Sequence, residues 1–374
     1  MSLPSLHDRT VHYALARSQR SHLYGLTVLD MASNMSITSV LSLLLISFLT
    51  IITSLPLAAS VPIENELGTL PIEARGINTA KLPAKGTMRG VWVWDSVYMW
   101  NAAEQSRMLT FLKANGFNRI LMQMPFVWNN GIQLINQTAI SSLLDNAARN
   151  NIVVEALDGA PDMAQPENQQ TTAAKVQLLI NYNAGRPKGS ALLAGIHWDI
   201  EIYALAGWSD QATRNGLMRN LVGVLSAAAA AIASAKSGLT LAYDLPFWYH
   251  AQNAPGDTCT FAWAGRNQSL DRHILDVVDY APVMSYRRSA TGDNSIVGLA
   301  MDAVGYANAV GKRVCPSMET VPLDDTPGVS FYGTSSAAYT MQRSAVVAAL
   351  QGQASFQGVM THAYPEIRWL LTGS

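Results

Sequence analysis

Charge is scarce in this chain. Only 14% of its 374 residues are charged, and 25 Lys and Arg stand against 26 Asp and Glu for a formal net charge of -1. Without a long basic run there is no electrostatic footprint for a phosphate backbone, which excludes nucleic acid as the main partner. Cysteine is scarcer still. Cys259 and Cys315 are the two present, and they lack metal-ligand spacing. They are compatible with one disulfide in an oxidising compartment or two free thiols in a reducing one. The histidines show no H-x-H or H-E-x-x-H spacing, so no metal is expected. A metal-dependent hydrolase would need scattered ligands, drawn from His197, His250, His273 and His362 with Asp199 or Asp244. No glycine-rich turn follows the first apolar run and no phosphate-cradling motif occurs, so no organic cofactor is implied. Internal repeats and long low-complexity tracts are absent as well.

Apolar residues are plentiful, at 49% of the chain, enough for one large core. Low charge with many Ala, Ser, Gly, Asn and Gln reads as a secreted protein. Residues 40–58 form an almost purely apolar run, and small residues lead to Ala59 and Ser60. This is the pattern of a signal-peptide core with cleavage near Ala59. The alternative is an uncleaved membrane anchor with the barrel outside, since about 20 apolar residues span a bilayer. Arg9, Arg17 and Arg20 would then hold the N-terminus in the cytosol. Met31 and Met35 are alternative starts that would give a secretory signal of ordinary length. Asn136-Gln137-Thr138 and Asn267-Gln268-Ser269 fit glycosylation acceptors. The expected division is an N-terminal extension with signal peptide or anchor over 1–60, a Pro- and Gly-containing linker over 61–87, and one folded domain over 88–374.

In that domain short β-type runs alternate with helical patterns. Strands are expected at 90–94, 119–123, 152–157, 193–200, 239–243, 277–284, 313–318 and 356–361. Helices are expected at 102–115, 140–150, 171–184, 210–236, 296–310 and 335–351, with a helical turn near 271–274 and Ser209-Asp210 as caps. Eight strands, nearly all followed by helices, predict an α/β fold, a single (β/α)8 TIM barrel. The doubly wound open sheet is the alternative, and the missing glycine-rich turn argues against it.

Chemistry in such a barrel is done at the C-terminal strand ends. The fourth run ends in Trp198-Asp199-Ile200-Glu201. Residues two apart on a strand share a face, so Asp199 and Glu201 project together, as acid/base work on a glycosidic bond requires. Glu201 is expected to be the general acid, with its pKa raised by apolar walls and nearby carboxylates, and Asp199 to tune it. Glu319, ending the seventh strand across the mouth, is the expected nucleophile or second base. Trp94, Asp95, Gln123, Asp158, Asp244, Trp248, Tyr286 and His362 complete the rim as expected substrate contacts. Sugar faces stack on aromatic rings while their hydroxyls need polar partners. Among the aromatic residues, Trp248-Tyr249-His250 and Trp263 are expected to be the exposed ones.

The fourth-strand segment resembles the chitinase-type glycoside hydrolases, which end this strand in D-x-x-D-x-D-x-E with the Glu as proton donor. Aligned on Glu201, the chain keeps the last two acids as Asp199 and Glu201, while Ala194 and His197 stand at the earlier two. The M-x-Y-D of the family's sixth strand is Met284-Ser285-Tyr286-Arg287 here. The family's Tyr helps hold a substrate N-acetyl group, so the resemblance implies substrate-assisted catalysis through Tyr286 and Asp199. The chain also resembles retaining glycosidases that carry Glu after the fourth and seventh strands, positions held by Glu201 and Glu319; Ile200 replaces their usual Asn. Both resemblances imply a hydrolase of a polysaccharide or oligosaccharide with Glu201 as proton donor, and the apolar run at 40–58 adds secretion. The alternatives are a non-catalytic carbohydrate-binding barrel and the metal-dependent hydrolase.

Overall fold

In a computed structural model of the chain, the structure describes residues 82–373 apart from 251, 255, 256, 324, 325 and 327. The expected signal or anchor at 40–58, its cleavage region and most of the linker lie outside the described residues.

The apolar runs form eight parallel strands: β1 (Met88–Val93), β2 (Arg119–Gln123), β3 (Val153–Asp158), β4 (Gly195–Trp198), β5 (Thr240–Tyr243), β6 (Tyr280–Val283), β7 (Arg313–Glu319) and β8 (Gly358–Tyr364). Each pairs with its sequence neighbour, and β8 pairs with β1 to close the barrel. Closure depends on Gly358, whose φ is +150° and where a Cβ would lie 2.0 Å from the Met88 carbonyl oxygen. Only a residue without a side chain lets the two backbones meet there.

The strands are separated by α1 (Ala102–Ala114), α2 (Gln137–Arg149), α3 (Gln169–Gly185), α4 (Gln211–Ser234), α5 (Leu270–Val277), α6 (Ile296–Val310) and α7 (Ser336–Leu350), and α8 (Glu366–Thr372) follows the last strand. Short polar side chains satisfy the first helical N–H groups. Asn101 caps α1, Asp210 caps α4, Ser295 caps α6 and Ser335 caps α7. The main core lies between strands and helices, and a smaller one, with Met88, Trp92, Leu121, Leu157 and Met360, fills the barrel.

Some elements differ from expectation. The anticipated turn near 271–274 is a helix of eight residues, and it claims Val277, which the sequence assigned to the sixth strand. An unbroken apolar run does not distinguish a buried helix end from a strand. Neither α8 nor two of the hairpins, Phe126–Trp128 with Ile132–Leu134 and Thr260–Trp263 with Arg266–Ser269, was expected from the sequence. Cys315 lies inside the barrel and Cys259 in the outer core; both are buried free thiols, and burial pushes the Cys259 pKa up to about 12.

Candidate active site

Below the mouth, four charged side chains from four adjacent strands alternate in sign. Arg119 of β2 pairs with Glu155 of β3. Glu155 Oε2 is 3.2 Å from His197 Nδ1 on β4, and His197 Nε2 is 2.8 Å from Oδ1 of Asp244, just past β5. Tyr280 and Thr240 donate hydroxyls to Glu155 at 2.5 and 3.0 Å, and the Trp92 indole N–H donates to Asp244 Oδ2 at 2.8 Å. Burial alone would lower the His197 pKa, but Asp244 and then Glu155 outweigh it and raise it to about 9. Burial would likewise raise the pKa of Glu155, yet Arg119, His197 and Tyr280 hold it down at about 2. His197 is therefore an imidazolium donating from both nitrogens. Buried charges are tolerated when paired and hydrogen-bonded, and this row has two cations and two anions.

Asp199 and Glu201 stand above this row, both more than nine-tenths buried. The backbone carrying them is pinned on two sides. Asp199 N–H donates to the Asp158 carbonyl at 3.1 Å, and the Tyr243 hydroxyl donates to the Ile200 carbonyl at 2.8 Å. Tyr203 donates its hydroxyl to Glu201 Oε1. Burial, and then the neighbouring Glu201 charge, hold the Tyr203 pKa well above that of an ordinary phenol, so it stays a donor. Tyr203 packs edge-on against Trp248 at 5.2 Å, within a cluster that includes Trp208 and Tyr249.

Gly159 lets this geometry form. A Cβ there would lie 2.2 Å from the Asp199 carbonyl oxygen, a backbone atom that cannot swing aside. Gly159→Ala is expected to cost about 1–3 kcal/mol through this overlap and to displace Asp199. Urea unfolding beside the wild type checks this, and equal stability would show that the segment yields freely.

Across the barrel, Trp94, His362 and Glu319 form a relay. The Trp94 indole N–H donates to His362 Nε2 at 3.0 Å, so the imidazole proton sits on Nδ1, 3.0 Å from both Glu319 oxygens. Backbone N–H groups of Thr320 and Val321 also donate to Glu319 Oε1, at 2.8 and 2.7 Å. Glu319 does end β7, but its carboxylate is fully buried behind His362. The Tyr286 ring lies 6.3 Å from that of His362.

Other rim residues have more local roles. Asp95 is exposed and accepts from Val97 N–H at 2.8 Å, just ahead of the short helix Val97–Trp100, whose N-cap is Ser96. Asp158 binds Lys175 Nζ at 2.6 Å and Gln123 Nε2 at 3.2 Å, which ties β2, β3 and α3 together. Trp248 and Tyr249, expected to be exposed, are buried in the cluster beside Tyr203, because aromatic rings there exclude water from each other; Trp263 is half-buried and His250 exposed. Trp128, on the hairpin after β2, is 71% exposed instead. Arg287 packs over Phe247 and donates to Asn294 Oδ1 at 2.8 Å. The four histidines proposed as scattered ligands do not gather: His273 Nε2 pairs with the Phe261 carbonyl, while His197 and His362 belong to separate networks.

Sequence reasoning missed Arg119, Glu155 and Tyr280, and it took Tyr203 only as one of the rim aromatics. Arg119 and Glu155 left a signal, since each is a charge within an apolar parallel strand and must be paired when buried. The role of Tyr203 depends on how the chain turns after Glu201 and left none.

No protein-family model matches the chain, and no curated protein matches it in sequence. Among solved structures it is similar to a chitinase from Chromobacterium violaceum, at 15% identity and TM-score 0.40 over 63% of this chain and 69% of that one. A chitinase from Pseudoalteromonas aurantia aligns at 11% identity and TM-score 0.47, over 74% and 94% of the two chains. A β-1,4-D-mannanase from Cryptopygus antarcticus aligns at 12% identity and TM-score 0.47, over 75% and 85%. At these identities the likeness is one of barrel fold.

Proposed function

We propose that this chain is a secreted glycoside hydrolase acting on a polysaccharide, with Glu201 as the general acid. The observation that carries this reading is the Asp199–Glu201 pair at the mouth of β4, on a backbone pinned from both sides, with the Tyr203 hydroxyl on Glu201. Two carboxyls at a barrel mouth are the apparatus of glycosidic cleavage.

In this mechanism Glu201 gives its proton to the oxygen of the leaving sugar. Tyr203 fixes the rotamer of that carboxyl and points its second oxygen at the substrate. Asp199 faces the same bound ring and, with Tyr286, orients an N-acetyl group whose carbonyl oxygen attacks the anomeric carbon as the glycosidic C–O bond breaks; water then opens that intermediate and returns a proton to Glu201. The Asp244–His197–Glu155–Arg119 row beneath pairs its own charges, two cations with two anions, and so adds no net charge under Asp199 and Glu201. Glu319 acts as a positioning residue, holding His362 toward the mouth through Nδ1. Trp128 offers an exposed ring for an approaching chain to stack on. Secretion fits residues 40–58 and the exposure of Asn136 and Asn267.

Protein recovered from culture medium, with a mature N-terminus following Ala59, is expected to release new reducing ends from fungal or bacterial cell-wall polysaccharides. The burial of Glu319 favours a second reading, a carbohydrate-binding barrel without turnover. Binding of the same polymers with no reducing ends released by folded protein would replace the hydrolase with that reading. An N-terminus still carrying residues 40–58 would instead mark an anchor.

A further inference from the structure

We propose that His250, Asp271 and Asp302 form a binding site for a divalent transition-metal ion of the Zn2+ class, outside the carboxylate site of the barrel mouth. His250 ends the short helical turn Phe247–His250 that follows β5, Asp271 lies in the first turn of α5 and Asp302 lies on α6. One ligand atom from each falls within 4.8 Å of the other two, and His250 Nδ1 is 4.0 Å from Asp302 Oδ2. One imidazole and two carboxylates are a ligand set that Zn2+ accepts, with a fourth position left for water.

The second observation is Asp271 itself. Its side chain is 2% exposed, and neither carboxylate oxygen completes a hydrogen bond of normal geometry. The Ser269 hydroxyl and the Arg272 backbone N–H approach it and offset only part of its burial. A buried carboxylate without a full complement of donors is costly in any protein. A cation held between it, His250 and Asp302 supplies what is missing.

The neighbouring charge is Arg272, whose guanidinium lies 3.9 Å from Asp302 Oδ1 and over the Tyr306 ring. It engages the other oxygen of Asp302 and leaves Oδ2 toward His250. Zn2+ bonds of about 2.0 Å place tetrahedral ligand atoms about 3.3 Å apart, so the three must close slightly. His250 and Asp302 have that freedom, with side chains 34% and 35% exposed. This inference is independent of the glycosidase reading.

The test is calorimetric titration of the full chain with ZnCl2 after chelator treatment, with Co2+ absorption as a second probe. One Zn2+ per chain should bind at this site, with a tetrahedral Co2+ spectrum. His250→Ala removes an exposed ligand and is expected to keep the fold while weakening Zn2+ by about tenfold or more. Asp271→Asn should weaken it similarly and, without metal, match or exceed the wild type in thermal stability. Zn2+ binding unchanged in both variants would overturn the site. So would a Ca2+ preference or no binding by folded wild type.

Discussion

Glu201→Gln is expected to lower hydrolysis by about 100- to 10,000-fold, the usual contribution of a positioned acid, while leaving the thermal midpoint unchanged. The substitution keeps the shape of the side chain, and the amide oxygen can still accept from Tyr203. It removes only the transferable proton. The loss should therefore fall on kcat, with KM little altered, because the proton is needed in the transition state and not for binding. Kinetics on the polysaccharide that the wild type degrades, read with a melting curve of each protein, separate the cases. Turnover at the wild-type rate would remove Glu201 from the mechanism. A matching fall in both activity and midpoint would show that its role is structural.

The second large effect is on stability. His197→Leu is expected to destabilise the barrel by about 3–5 kcal/mol, the range for breaking a buried ion pair from one side. The imidazolium lies between Glu155 and Asp244, and leucine would leave both carboxylates buried without it. The same group sets a pH dependence. Its pKa is raised by folding, from 6.5 to about 9, so the folded state binds the proton more tightly than the unfolded chain. The stabilisation is complete below the unfolded value and is lost as pH rises through the folded one. At about 1.36 kcal/mol per pKa unit, the effect is on the order of 3 kcal/mol. Urea unfolding of the wild type should show stability falling from about pH 6.5 to about pH 9, a slope that His197→Leu lacks. A flat profile in the wild type would mean that the imidazole is neutral in the folded state and that the charge row is misread. Glu155 works in the opposite sense: with its pKa lowered to about 2, its contribution is present at neutral pH and disappears only in strong acid.

Arg119, Glu155 and His197 show why the barrel interior could be read only in part. Each lies on a strand that the sequence located, and His197 was noted for standing where the chitinase pattern has an acid. The pairing among them depends on which strands are neighbours and in what register. Met122 opposite Ala156, Ala156 opposite Ile196 and Ile196 opposite Leu241 set the heights at which these side chains face each other. A one-residue shift in any of these pairings would turn a charge toward the helices.

By itself the sequence determined the architecture. Eight apolar runs separated by helical patterns have few ways to bury their faces other than a closed parallel barrel, and alternation along each strand decides what points inward. It also marked Asp199 and Glu201 as following the fourth strand, but the strand closes at Trp198 and Glu201 already opens the next helical turn, so the two-residue strand spacing does not set their relation. Only the tertiary structure decided which rim residues share a site. Asp95 came to accept the Val97 N–H ahead of a short helix, Glu319 was buried beside His362, Trp248 and Tyr249 were buried against Tyr203, and His250 met Asp271 and Asp302. These outcomes depend on contacts between residues far apart in the chain, fixed by barrel closure and by loops with no periodic pattern to read.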